Sequence, residues 1–242
     1  MLRTLGAVLT AAATRPTARA TGSAIVLALV TLVIAGCTGD VDDEPRPVGL
    51  VDAAAAGDGA AIRELLRRGA DVNETDPSGA TAVAAAAYAG HAAIVRRLVD
   101  AGADVDRQDA NRSNAFLSTG ETGDLAVLEE VLRAKPDLTL TNRFGGTALI
   151  PAADRGHVAV VRRLLETEID VDHVNDLGWT ALLEAVILGD GGAAHTEIVR
   201  LLVAAGADPT IADREGTTPL AHARRSGYDA IAAILEEALT RG

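Results

Sequence analysis

From Val48 onward the apolar and polar positions repeat with a step of 33 residues, and a period of that size marks stacked structural units. Aliphatic pairs stand at Leu65-Leu66, Leu98-Val99, Val131-Leu132 and Leu164-Leu165, and continue as Leu201-Leu202 and Ile234-Leu235 beyond a five-residue insertion, Asp190 to Ala194. Turn glycines follow the same step at Gly57, Gly90, Gly123, Gly156, Gly189 and Gly227, and a second series runs through Gly79, Gly145 and Gly178, with Arg112 in the intervening place. In one unit the pattern predicts a short Ala-rich helix over Ala82–Ala89, a break at Gly90, and a second helix over Ala92–Ala101 with Ile94, Val95, Leu98 and Val99 on one stripe. Gly102 suits the left-handed end of that helix, and Asp76 and Gly79 suit a hairpin turn. One such unit cannot cover its own apolar face, so neighbours must stack on it. The predicted fold is an all-α solenoid of about six helix-turn-helix units with short hairpin connections.

The N-terminal region follows a different pattern. Arg3, Arg15 and Arg19 precede a weakly polar to apolar run from Ala24 to Ala35, the order of a secretory signal. Twelve residues are too few to span a bilayer comfortably. The run ends in Ile34-Ala35-Gly36-Cys37, which resembles the lipobox of bacterial lipoproteins. That resemblance implies cleavage after Gly36, a thioether-linked diacylglycerol on Cys37, and export with anchoring to the outer face of the cell membrane. A buried or incidental thiol, or an uncleaved signal anchor over residues 20–36, are the alternatives. Thr38 to Pro47 is acidic and broken by Pro45 and Pro47, and reads as a spacer.

Composition supports helices: 48% of residues are apolar, only 2% aromatic, and the apolar weight lies on Ala, Leu and Val. The first 36 residues hold three arginines and no acid, which leaves 19 basic against 34 acidic residues beyond them, a formal charge of −15. That sign repels phosphate backbones and anionic headgroups, so nucleic acid is excluded as a partner and membrane contact must come from the anchor. A partner with a basic patch is favoured.

Thr218-Pro219-Leu220-Ala221-His222-Ala223, the stretch Gly90 to Val99, and the closure Gly102-Ala103-Asp104-Val105-Asp106 resemble the ankyrin-repeat signature. The resemblance covers Val48 to the C-terminus. It divides the chain into a lipoprotein signal peptide (1–36), a tether (37–47) and a repeat domain (48–242), with repeats near 48–78, 79–111, 112–144, 145–177, 178–215 and 216–242. In that family the hairpin tips and first helices form a concave binding face. The matching positions here are Ala110, Asn111 and Ser113, Arg143 and Phe144, Leu177 and Trp179, and Arg214 and Glu215 at the tips. Tyr88, Glu121, Asp154, Arg155, Glu184 and Arg225 extend the surface on the first helices. Phe144, Leu177 and Trp179 are bulky apolar groups in turns, although Trp179 is equally suited to packing on the adjacent hairpin. The third repeat is the least regular, with Asn114 for Thr, Thr119-Gly120 for Ala-Ala, and Lys135-Pro136 for Gly-Ala. Gly120 inside a helix predicts the softest unit. The insertion, with its Gly-Gly pair, predicts a mobile loop that is either a partner contact or neutral.

Catalytic chemistry is not indicated. His91, His157 and His195 follow the turn glycines, where the family uses His structurally, and His173 and His222 stand alone without metal-ligand spacing. The sole cysteine is Cys37, and neither a nucleophile elbow nor a phosphate loop is present. No cofactor or metal is implied. The expected role is a non-catalytic protein-protein interaction module for an envelope or secreted protein. A structural or stress-protective envelope protein is the alternative, and a hydrolase or small-ligand binder the remote one.

Overall fold

The computed structural model describes residues 49–241. Cys37, the apolar run Ala24 to Ala35 and the tether 37–47 lie outside the described residues. Within them, twelve helices follow one another as six pairs: α1 (Leu50–Ala55) with α2 (Gly59–Arg67), α3 (Ala82–Tyr88) with α4 (Ala92–Asp100), α5 (Ala115–Thr122) with α6 (Leu125–Leu132), α7 (Leu149–Asp154) with α8 (Val158–Leu164), α9 (Ala181–Ile187) with α10 (Ala193–Ala204), and α11 (Pro219–Ser226) with α12 (Asp229–Arg241). First helices stack on first helices from α1 through α11, and second helices stack from α4 through α12. Extended pairing among the described residues is limited to one bridge, Thr75 with Thr81. No described helix is long and apolar enough to cross a membrane.

The core runs between the two layers in a fixed register. Each second helix from α4 onward buries three apolar positions: Ile94, Val95 and Leu98, then Val127, Leu128 and Val131, then Val160, Val161 and Leu164, then Ile198, Val199 and Leu202, then Ile231, Ala232 and Leu235. Burying one large aliphatic side chain stabilises by about 2 kcal/mol, and a capping bond by about 1 kcal/mol. Inter-repeat packing therefore dominates. This register corrects the pairs read beyond the insertion. Leu202 and Leu235 occupy the place of Leu164, so the matching pairs are Leu202-Val203 and Leu235-Glu236.

Hairpins between the pairs are built by one device. A side-chain oxygen accepts from the backbone N–H groups two and four residues on, at Asp76 (Ser78, Ala80), Asp109 (Asn111, Ser113), Asn142 (Phe144, Gly146), Asn175 (Leu177, Trp179) and Asp213 (Glu215, Thr217). The residue three places after each takes a left-handed conformation, and there Arg112 adopts φ 58° in the place held elsewhere by glycine. Lys135 does the same at φ 57°, the counterpart of Gly69 and Gly102. The backbone keeps the family geometry even where the sequence departs from it.

Two expectations about irregular segments are corrected. Gly120 is buried on α5, and a Cβ there would lie 2.1 Å from the carbonyl oxygen of Ala148. Its absent side chain allows α5 to sit against the turn before α7, so its place is set by packing rather than drift. The polar neighbours are satisfied as well: Ser118 Oγ donates to the Ala115 carbonyl and Thr119 Oγ1 to that of Phe116, while Asn114 caps α5 by accepting from Leu117 N at 2.8 Å. Gly120 therefore supplies no basis for a soft third unit, which leaves the left-handed Arg112 and Lys135 as its only departures from unstrained geometry. The insertion, likewise, is not a free loop. Ala193 and Ala194 begin α10, Asp190 Oδ1 lies 2.8 Å from His195 Nδ1 and accepts from Gly192 N, and Tyr228 donates its hydroxyl to the Gly189 carbonyl. Gly191, not Gly189, takes the left-handed turn in that repeat.

Candidate functional site

The hairpin tips and the ends of the first helices border a groove of about 540 Å³, within the size range of ligand-holding clefts. Its floor is made of small side chains, Ala55, Ala80, Ala84, Ala85 and Ala89. Small residues are there because close stacking of α1, α3 and α5 requires them. Tyr88, at the last turn of α3, lines it at 65% exposure, and Phe144, at the third hairpin tip, at 54%. The guanidinium of Arg143 lies 4.8 Å from the Phe144 ring centroid, a cation–π contact, and its Nη1 reaches Asn111 Oδ1 at 3.5 Å. Asp109 and Glu121 place two carboxylates along the same groove.

Six of the sequence-predicted residues, Tyr88, Asn111, Ser113, Glu121, Arg143 and Phe144, are therefore brought together. Leu177, Trp179, Asp154, Arg155, Arg214 and Glu215 do not line this groove. Leu177 is half-exposed at the fourth tip and Trp179 is half-buried beside it, while Asp176 N donates to the Phe144 carbonyl at 2.9 Å, joining the two tips. Arg214 and Glu215 are exposed at the fifth tip, and Arg214 donates to the Asp176 carbonyl. Asp154 is half-buried and Arg155 exposed at the end of α7. Glu184 departs from expectation. It is only 7% exposed and accepts from Asn175 Nδ2 at 2.7 Å, so it is not a surface contact. Burial and the negative charge of Asp154 push its carboxyl up to about 7, against the opposing hydrogen bond from Asn175.

The groove residues that the tip-and-helix pattern missed are Asp109, Asn142, Asn114 and Ser118. Asp109 and Asn142 recur on the 33-residue step as turn residues and Asn114 stands at the cap place of Thr81, Thr147 and Thr180, work that masks their position on the groove wall, whereas Ser118 stands where other units carry Ala85, Pro151 and Glu184 and no signal marked it.

Histidines and carboxylates elsewhere serve the scaffold. His91, His157 and His195 donate from Nε2 to the carbonyls of Ala55, Glu121 and Asp154 in the preceding repeat. Asp71, Asp104, Asp137, Asp170 and Asp208 each accept from the backbone N–H two residues on. Glu130, 7% exposed on α6, is clamped by Arg96 of the preceding repeat and by Arg133. These two guanidinium groups, Arg96 first, hold its carboxyl below the usual range. Among the described residues no three His, Cys, Asp or Glu converge as a metal set.

A family model described as ankyrin repeats, in three copies, matches residues 50–118 and 116–213. A crystal structure of an ankyrin repeat domain from Acinetobacter baumannii AYE is 46% identical, covers 78% of this chain and 96% of its own, and superposes with a TM-score of 0.76. The ankyrin repeat protein EF0377 is 38% identical over 79% of this chain and 98% of its own, with a TM-score of 0.75. The ankyrin repeat domain of human ASB11, 23% identical over 78% and 82% of the two chains, shares the fold at a TM-score of 0.68. The Escherichia coli (strain K12) ankyrin repeat protein YahD is 46% identical over 52 residues, which are 22% of this chain and 26% of that protein, so the match spans about a quarter of that relative's length.

Proposed function

The chain belongs to the ankyrin-repeat family, and from that premise we propose that its repeat stack holds a protein partner along the groove between Tyr88 and Phe144. The observation that carries this reading is the pair of large aromatic side chains left more than half exposed along a groove lined with alanines. A folded chain gains by covering such groups unless a partner covers them instead. Ankyrin folds typically serve as non-enzymatic interaction scaffolds. Asp109 and Glu121, within a region carrying −15, favour a partner with a basic patch.

In this proposal the module is exported and held at the outer face of the cytoplasmic membrane by a lipidated Cys37, and the partner is an envelope or secreted protein. The support for anchoring is the lipobox-like Ile34-Ala35-Gly36-Cys37 after an apolar run. Two acyl chains would give stable attachment.

The test is capture from crosslinked membranes with the full chain, comparing wild type with Phe144→Ala and Tyr88→Ala. A specific protein recovered by wild type and reduced at least tenfold by either variant, at unchanged stability, supports the reading. Equal recovery by all three overturns it. A mature N-terminal peptide with an unmodified Cys37 by mass spectrometry overturns the anchoring.

A further inference from the structure

The buried pair Glu184 and Asn175 links the interior of the stack to its displayed edge. Glu184 lies on α9, 7% exposed, and Asn175 begins the fourth hairpin, 6% exposed. Every polar group of Asn175 is used. Its Nδ2 donates to Glu184 Oε1 at 2.7 Å, its Oδ1 accepts from Leu177 N and Trp179 N at 3.0 Å each, its N donates to the Trp179 carbonyl at 3.0 Å, and its carbonyl accepts from Gly178 N at 2.9 Å. The conformation of the tip that carries Leu177 and Trp179 therefore depends on one amide, and the orientation of that amide depends on Glu184.

The same register recurs in the sixth unit, where His222 Nε2 meets Asp213 Oδ2 at 2.6 Å. There His222 Nδ1 accepts from Arg225 Nη2, so Nε2 carries the proton and donates to the carboxylate, with the Arg225 charge behind the ring. In the fifth unit the carboxylate faces a neutral amide instead. The surrounding elements provide no counter-charge. From α7 the facing group is Asp154, a second acid. On α11, His222 and Arg225 are engaged with Asp213 and with each other. On α10, His195 is directed at the Asp154 carbonyl and at Asp190. Among the described residues no cation pairs with Glu184.

We propose that Glu184 is a proton-operated catch on the fourth hairpin: in its neutral form it holds Asn175 and the Leu177–Trp179 tip in place, and on ionisation it releases them. A charged carboxylate in that position would face Asp154 with a single amide N–H to stabilise it, and moving toward water breaks the bond to Asn175. Since Asp176 N also bonds to the Phe144 carbonyl, release of the tip reaches the edge of the groove. The carboxyl is pushed up to about 7, which places the transition in the neutral range, with the catch closed on the acidic side. The biological use of the catch, regulation of the partner surface, rests on the binding function proposed above; the catch itself does not.

Trp179 is the single tryptophan of the chain and sits within the tip, so its fluorescence reports the catch without any partner. Emission of the full chain is followed between about pH 5 and about pH 9. The expected result is a sigmoidal change with its midpoint near 7, abolished in Glu184→Gln and moved to lower pH in Asp154→Asn, with far-UV circular dichroism unchanged. Gln keeps an acceptor for Asn175 but cannot ionise. A flat wild-type profile, or a transition that survives in Glu184→Gln, overturns the proposal. Neither result bears on partner capture, and failed capture leaves the fluorescence result standing.

Discussion

Replacing Gly120 with Ala sets helix propensity against packing, and the two give opposite signs. On propensity alone an Ala in the interior of α5 stabilises by about 1 kcal/mol. In the fold its Cβ would lie 2.1 Å from the Ala148 oxygen, 2.9 Å from the carbonyl carbon and 3.1 Å from the Cα. A carbon rests comfortably at about 3.3 Å from a carbonyl oxygen, so α5 and the turn before α7 must separate by about 1 Å. The obstacle is backbone, which cannot swing aside as a side chain can. Gaps of that size forfeit a quarter to a half of each dispersion contact they open, and overpacking of a buried site costs about 1–3 kcal/mol. We expect a net loss of about 2 kcal/mol, or about 4–8 °C in Tm for a domain of this size. Urea and thermal unfolding followed by far-UV circular dichroism measure it. Gly59→Ala is the control, because the nearest atom to its added Cβ is Arg63 Nη1 at 3.9 Å; it should be neutral or stabilise by about 0.5 kcal/mol. A Gly120→Ala variant as stable as wild type, or more so, refutes the packing argument.

Two further outcomes separate position from residue type. Thr180 caps α9 by accepting from Leu183 N at 3.2 Å, whereas the buried hydroxyl of Thr147 at the same register has no hydrogen-bond partner. Thr180→Ala should cost about 1 kcal/mol in denaturant unfolding, and Thr147→Val less than about 0.5 kcal/mol, with a stabilising sign allowed. Glu130, held below its ordinary value of 4.5 by Arg96 and Arg133, stabilises the fold above that pH and loses its contribution as pH falls through its lower folded value. Glu130→Gln should therefore cost about 1–2 kcal/mol at neutral pH, after allowing for the exposed guanidinium groups, and the gap from wild type should close well below pH 4.5. A pH-independent gap would mean that shape rather than charge makes the contact.

Much of the fold was legible because its determinants are local and recur. The 33-residue step, the turn glycines and the aliphatic stripe each reflect an element that every unit must form, and α3 and α4 fall within one residue of the predicted spans. The chemistry of the site was less legible. Tyr88, Asn111, Arg143 and Phe144 were readable from the register, but whether a side chain at such a position faces the groove or the interior depends on the neighbouring repeat. Glu184 illustrates this: as a letter it reads as an exposed charge on a first helix, and only the packing of α7 and α11 around α9 buries it.

The sequence by itself determined the unit, its period, its polarity and the positions of its turns, because each arises from interactions among residues close along the chain. Tertiary structure decided what the irregular residues mean. Gly120 is where α5 meets the backbone at Ala148, and Asp190 with Tyr228 ties down an insertion that read as loose. Tyr228, which follows Gly227 in the place held by His91 and His157 after their turn glycines, bonds to the Gly189 carbonyl as those histidines do to their preceding repeats. The approach of Gly120 to Ala148 and the bond of Tyr228 to Gly189 join residues 28 and 39 positions apart, beyond the reach of helix and turn propensities, and they form only when one unit is stacked on the next.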